Sequence, residues 1–222
     1  MRQKVARPFT SSELHASGVR PCARSITAMS DEALLAATSL KQLEKALAAG
    51  ANVDAVDKND DDMTKLHKLC KSKSGAMSKT EEAMALLLIE KGADVMVPDE
   101  GGVTPLHYAA RSATHAVIDA LIAKGAKPTL TKLGYTPLHY TCTTHFKDKW
   151  VWDRMLEIGN PLDHVNKWGD TPLLGAQSSW NPTMVKYLLA KGASRDIKDS
   201  DGKTLVERAT ALKQDKILAL LR

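Results

Sequence analysis

The chain has little that would mark it as an enzyme, a membrane protein or a disulfide-stapled domain. Only three cysteines occur in 222 residues, Cys22, Cys70 and Cys142, and no two form a CxxC pair. That spacing disfavours a disulfide framework or a zinc knuckle and suits a reducing compartment. There is no run of 18 apolar residues, which excludes a membrane-spanning helix. Aromatic residues make up 5% of the chain, with two Phe beside four Trp and four Tyr. No phosphate-binding loop is present: Gly101-Gly102 and Gly134 sit as turn glycines rather than in a dinucleotide fingerprint. No Ser or Cys lies in a nucleophile elbow or beside a recognisable base. What remains is an ordinary globular composition, 43% hydrophobic and 26% charged, in a chain long enough to bury a core without staples.

The organising feature is repetition. Val103-Thr104-Pro105-Leu106-His107-Tyr108-Ala109-Ala110 recurs as Tyr135-Thr136-Pro137-Leu138-His139-Tyr140-Thr141-Cys142 and again as Asp170-Thr171-Pro172-Leu173-Leu174-Gly175-Ala176. A weaker copy starts at Met63-Thr64-Lys65-Leu66-His67, and a decayed one at Lys203-Thr204-Leu205. The threonines step by 40, 32, 35 and 33 residues. A second marker, Gly50, Gly92, Gly125, Gly159 and Gly192, steps by 42, 33, 34 and 33. Two independent markers of one period define a repeat array. Thr followed by Pro starts a helix, because the hydroxyl caps free N–H groups and Pro at the first turn forfeits no hydrogen bond. A second helix follows with apolar residues at helical spacing, Val117, Ile118, Leu121 and Ile122 in one unit and Met184, Val185, Leu188 and Leu189 in another. Glycine then stops it, and an Asp- and Gly-rich hairpin-like connector leads to the next unit.

These motifs resemble the ankyrin repeat, most closely at Thr104 to Ala110, Lys124-Gly125-Ala126, Thr136 to His139 and Lys191-Gly192-Ala193. The fold expected is an all-α repeat solenoid of ankyrin-type helix-turn-helix units with short hairpin connectors. Six units are read, at about 31–56, 57–97, 98–128, 129–162, 163–198 and 199–222, making residues 29–222 one repeat domain. In the first, Ser30-Asp31-Glu32 begins the first helix. Divergence of the first and last units fits caps whose outer faces meet water.

Function is sought where the sequence leaves the repeat pattern. Unit two carries about seven extra residues, within an insert at about Lys71 to Thr80 between its helices, and Lys65 to Lys79 holds five Lys and no acid. Asp60-Asp61-Asp62 precedes it, read as a solvated turn rather than a cation site. Unit four inserts about two residues near His145 and Trp150, and unit five has Ser178-Ser179-Trp180-Asn181-Pro182 in place of a short Gly turn. The ankyrin resemblance implies a protein partner bound on the concave side, at hairpin tips and the exposed side of the first helices. The partner-binding candidates are Lys71, Lys73, Arg111, Tyr135, His145, Trp150, Trp168, Asp170 and Trp180. Three tryptophans, Trp150, Trp168 and Trp180, fall in connectors, and Trp, Tyr and Arg are the residues that most often dominate interface energies. Trp152 takes a core helix position. His67, His107 and His139 are expected to hydrogen-bond backbone between units. His139, Cys142 and His145 lack a fourth ligand, so no metal, cofactor or catalytic residue is assigned.

Residues 1–28 carry five basic residues and one acid, with six Ser or Thr. They lack a signal-peptide core and read as an unstructured tail, a transit peptide or a basic arm. The formal charge of +5 therefore resides mostly in this segment, and residues 29–222 hold 26 basic and 25 acidic residues. The expectation is a monomeric, non-catalytic module in the cytoplasm, or in a mitochondrion or plastid if the segment is a transit peptide. The alternative is association with nucleic acid or an anionic surface through the tail and the Lys65–Lys79 loop, against which stands the absence of any RNA- or DNA-reading motif.

Overall fold

The computed structural model describes residues 23–72, 76–142 and 148–221, with side chains from residue 28 onward. The described residues fall into two compact units that divide between Asn52 and Val53. The first contains α1 (Ala23–Ala36) and α2 (Leu40–Ala48). Helix α1 begins seven residues before the expected Ser30. Nothing between Pro21 and Ser30 breaks a helix, since that stretch has neither Pro nor Gly. Ser39 closes a reciprocal capping box with Gln42 at the start of α2, and Leu34, Leu43 and Ala46 are buried.

Residues 53–222 form the all-α repeat solenoid. The one strand pair among the described residues is β1 (Val56–Asp57) against β2 (Met63–Thr64), antiparallel. Helices then alternate between an inner and an outer row. The inner row is α3 (Lys65–Cys70), α5 (Pro105–Ser112), α7 (Pro137–Cys142), α9 (Pro172–Ser178) and α11 (Leu205–Ala211). The outer helices are α4 (Lys79–Glu90), α6 (His115–Ala123), α8 (Lys149–Glu157), α10 (Pro182–Ala190) and α12 (Asp215–Leu218). Each inner helix packs on the next, and each pairs with its own outer helix. The apolar faces read from the sequence meet here: Leu66, Leu106, Leu138, Leu173 and Leu205 are buried, as are Ile118, Leu121, Met184 and Leu188. Trp152 is 2% exposed and fills the core between α8 and Tyr187, with ring centroids 5.0 Å apart.

Histidine bolts the units together. Each of Thr64, Thr104 and Thr136 donates its main-chain N–H to Nδ1 of the histidine three residues on, at 3.2 Å. That assigns the proton to Nε2, which donates to the next unit's carbonyl: His67 to Val103 at 3.1 Å, His107 to Tyr135 at 3.3 Å, His139 to Asp170 at 3.2 Å. Burial pulls all three imidazoles below the ordinary histidine value, His107 and His139 to about 4. The expected inter-unit role is the observed one.

Candidate functional site: the inner face and the connector tips

The connectors are built alike. In each, a tight turn closes on itself: Gly102 donates to Asp99, Gly134 to Thr131, Gly169 to Asn166 and Gly202 to Asp199, all at 2.9–3.1 Å. Successive tips are joined by one main-chain bond apiece. Glu100 N–H donates to Asp61 O (2.8 Å), Lys132 to Gly101 (2.9 Å), Lys167 to Leu133 (3.0 Å) and Ser200 to Trp168 (3.1 Å). This ladder sets the register of the tips. Asp61, Gly101, Leu133 and Trp168 occupy one equivalent apex position, and Asp62, Gly102, Gly134 and Gly169 the next.

Along the inner helices the residues Lys68, Tyr108, Tyr140, Gly175 and Arg208 hold equivalent positions, each four residues beyond its unit's Thr. Tyr108 and Tyr140 meet edge to face at 6.1 Å, Tyr140 meets Tyr135 at 6.1 Å, and Tyr135 meets Trp168 at 5.6 Å. Lys71 Nζ lies 5.4 Å above the Tyr108 ring. A continuous aromatic stripe thus runs from unit two to the tip of unit five, with a cation at its start. Burial pushes the Tyr140 hydroxyl up to about 12, and Tyr108 is raised by burial and by its bond to Asp99 at 2.8 Å, so both stay neutral donors. Tyr108 and Tyr140 escaped the sequence reading because they follow the histidine inside the repeat signature and passed for framework. Their recurrence in just the two full copies was the available signal.

The other candidates disperse. Arg111 is exposed in the last turn of α5, on this face. Trp168 crowns its tip at 45% exposure, and Tyr135 is half-buried beside it. Asp170 is partly buried and held in an ion pair: Arg208 pairs with it at 2.5 Å and with Asp199 at 3.2 Å, and also donates to Ser178 Oγ. Trp150 belongs to the first turn of α8 rather than to a connector, because Asp148 caps that helix one residue earlier. Its ring stacks on His115 at 4.0 Å, and His115 bonds Asp148 at 2.6 Å. Trp180 lies in the α9–α10 loop, 56% exposed, with φ of 52°. Lys73 and His145 lie outside the described residues.

The lysine-rich loop is less basic than its composition. Lys65 is buried, and burial lowers its pKa. Lys68 pairs with Asp57 at 2.5 Å and Asp60 at 3.0 Å, so its charge is already met by carboxylates. The end of the insert is pinned, with Met77 N–H donating to Ser112 O at 2.9 Å. Among the described residues no group of three or more His, Cys, Asp or Glu is placed to hold a metal, and no helix is long and apolar enough to cross a membrane. Cys70 and Cys142 are fully buried thiols, pushed to about 12 by burial. The arrangement is a preformed surface of mutually braced rings and tips joined by main-chain bonds.

A family described as ankyrin repeats (three copies) matches residues 33–132 and 74–151, and one described as ankyrin repeat matches residues 168–200. The mouse protein named ankyrin repeat and SOCS box protein 11 is 28% identical over 108 residues, covering 48% of this chain and 32% of its own length. Its human namesake is 28% identical over 121 residues, 54% of this chain and 36% of its length. ZDHHC13 of Danio rerio, by its name a candidate palmitoyltransferase, is 30% identical over 134 residues, 59% of this chain and 19% of its length. The chain thus spans at most about a third of the curated relatives it matches.

Proposed function

Since the chain belongs to the ankyrin-repeat family, whose repeats generally mediate protein–protein interaction, we propose that it is a non-catalytic module binding a protein partner. The surface is the inner face and tips of units two to five. The observation that carries this is the unbroken stripe Lys71–Tyr108–Tyr140–Tyr135–Trp168, flanked by exposed Arg111. Its rings brace one another and its tips are joined by main-chain bonds, so association pays little ordering entropy. The module acts as a monomeric scaffold, adaptor or inhibitor in a reducing compartment, where the two buried thiols stay reduced. Near-neutral charge over residues 29–222, with Lys68 already paired, favours protein over nucleic acid.

The test is affinity purification from native extract with mass spectrometry, comparing the wild type with an Arg111→Ala/Trp168→Ala double variant. Both side chains are exposed, so the fold is kept. The expected outcome is one or more partners recovered by the wild type and depleted at least about tenfold by the variant. An identical partner set in both would overturn the assignment.

A further inference from the structure

The tips of units four and five differ from their neighbours in a way that selects a class of partner. At the apex position, units two, three and six carry Asp61, Gly101 and Asp201, whereas units four and five carry Leu133 and Trp168. The residue before each of the latter is lysine, Lys132 and Lys167, both exposed and, among the described residues, outside any ion pair. Lys58, Lys68, Lys149 and Lys191 pair with carboxylates, and other exposed lysines such as Lys127, Lys198 and Lys203 stand outside any ion pair too, but only Lys132 and Lys167 adjoin an exposed apolar apex. The same two connectors also expose Leu130 (53%) and Val165 (43%), which hold equivalent positions three residues before the apex. Leu133 and Trp168 are themselves 44% and 45% exposed.

Single exposed apolar residues need no explanation, but four in two adjacent connectors joined by a main-chain bond form a patch. The patch is rigid. Trp168 N–H donates to Asn166 Oδ1 at 2.9 Å, and the Tyr135 ring supports the indole at 5.6 Å. Carboxylates stand on one side of it, Asp61 and Glu100 toward unit two, while beyond unit five Asp201 is flanked by exposed Lys198 and Lys203. An anionic ligand is therefore attracted over two tips and repelled toward unit two, which limits its reach in that direction. A nucleic-acid strand running toward unit two meets those carboxylates, and of the four exposed apolar side chains only the Trp168 indole gives its bases a flat surface to stack on.

We infer that the tips of units four and five dock an extended acidic peptide segment of the partner, in which carboxylates alternate with large apolar side chains. The carboxylates sit on Lys132 and Lys167, and the apolar side chains cover Leu133 and Trp168. This deepens the protein-binding reading and rests on it.

The experiment selects random dodecapeptides displayed on phage against the full chain, with counter-selection on a Lys132→Glu/Lys167→Glu variant. The expected pool is enriched in Asp or Glu interleaved with Leu, Ile, Phe, Met or Trp. The best synthetic peptide, followed by the anisotropy of a fluorescent label, loses at least about tenfold in affinity in the charge-reversed variant and in a Leu133→Ala/Trp168→Ala variant. It also weakens as salt rises from low to high. Circular dichroism verifies that each variant folds. A basic or uncharged pool, no enrichment over the variant, or affinity indifferent to either variant overturns the inference. Tighter binding of a poly-uridine oligonucleotide through the same two lysines also overturns it. If a native partner depends on Arg111 but is untouched by the charge reversal, this inference falls while the protein-binding reading stands.

Discussion

Trp180 is held with φ of 52°, a left-handed conformation that bulky L-residues rarely adopt. It sits just past α9, where its N–H reaches Gln177 O at 3.1 Å and Asn181 N–H reaches Ala176 O at 3.0 Å. Lys213 (φ 53°) does the same after α11. Both are helix C-terminal turns that ordinarily take glycine. The sequence flagged this place, because Ser178-Ser179-Trp180-Asn181-Pro182 replaces a Gly-containing turn, but only the folded backbone shows that Trp180 itself carries the strain. Left-handed backbone costs an L-residue about 1–2 kcal/mol, and glycine returns part of that as lost chain entropy. Trp180→Gly is therefore expected to raise stability by roughly 0.5–1 kcal/mol, whereas Trp180→Ala leaves the strain and gains nothing. Urea midpoints at constant slope measure the difference.

At the scale of one element, the connector explains why its glycine is required. Gly169 has φ of +79°, and a Cβ there would lie 2.4 Å from Ser200 N and 2.7 Å from Asp199 C. Both are main-chain atoms of the following tip, which cannot swing aside. Gly169→Ala is expected to cost more than about 2 kcal/mol and to loosen the ladder bond from Ser200 to Trp168. Amide exchange at Ser200 and the urea midpoint read these two effects. Unit two solves the same turn with Asp62 at φ 55°, tolerable because Asp accepts left-handed backbone better than most residues. Helix limits were legible element by element: α5 runs from Pro105 to Ser112 as its signature implies. The start of α1 was not, since compositional polarity in residues 1–28 hides a stretch with no helix breaker after Pro21.

Across the repeat array, units cohere through equivalent contacts repeated from one to the next. The buried histidines make that cohesion pH-dependent. His107 and His139 fall to about 4 in the fold from an ordinary 6.5, so the unfolded chain binds protons that the folded one refuses. Their contribution is complete above pH 6.5 and is lost as pH falls toward 4, by roughly 3 kcal/mol each at the lower limit. Stability curves between pH 7.5 and 4.5 should decline accordingly, and His107→Gln/His139→Gln should flatten that decline while lowering the plateau. Arg208 is the corresponding lock on the last unit, joining Asp170, Asp199 and Ser178. Arg208→Ala strands two partly buried carboxylates, and amide exchange should accelerate in α11 and α12 well before α5. The sequence alone determined the period, the helix pairs, the histidine bolts and the family, because each is written in residues that recur at fixed spacing and act on near neighbours. Tertiary structure alone decided which side chains share the inner face. That depends on stacking units more than 30 residues apart in sequence, which brings Tyr108, Tyr140, Tyr135 and Trp168 into one stripe while pairing Asp170 with Arg208 and turning Trp150 onto His115.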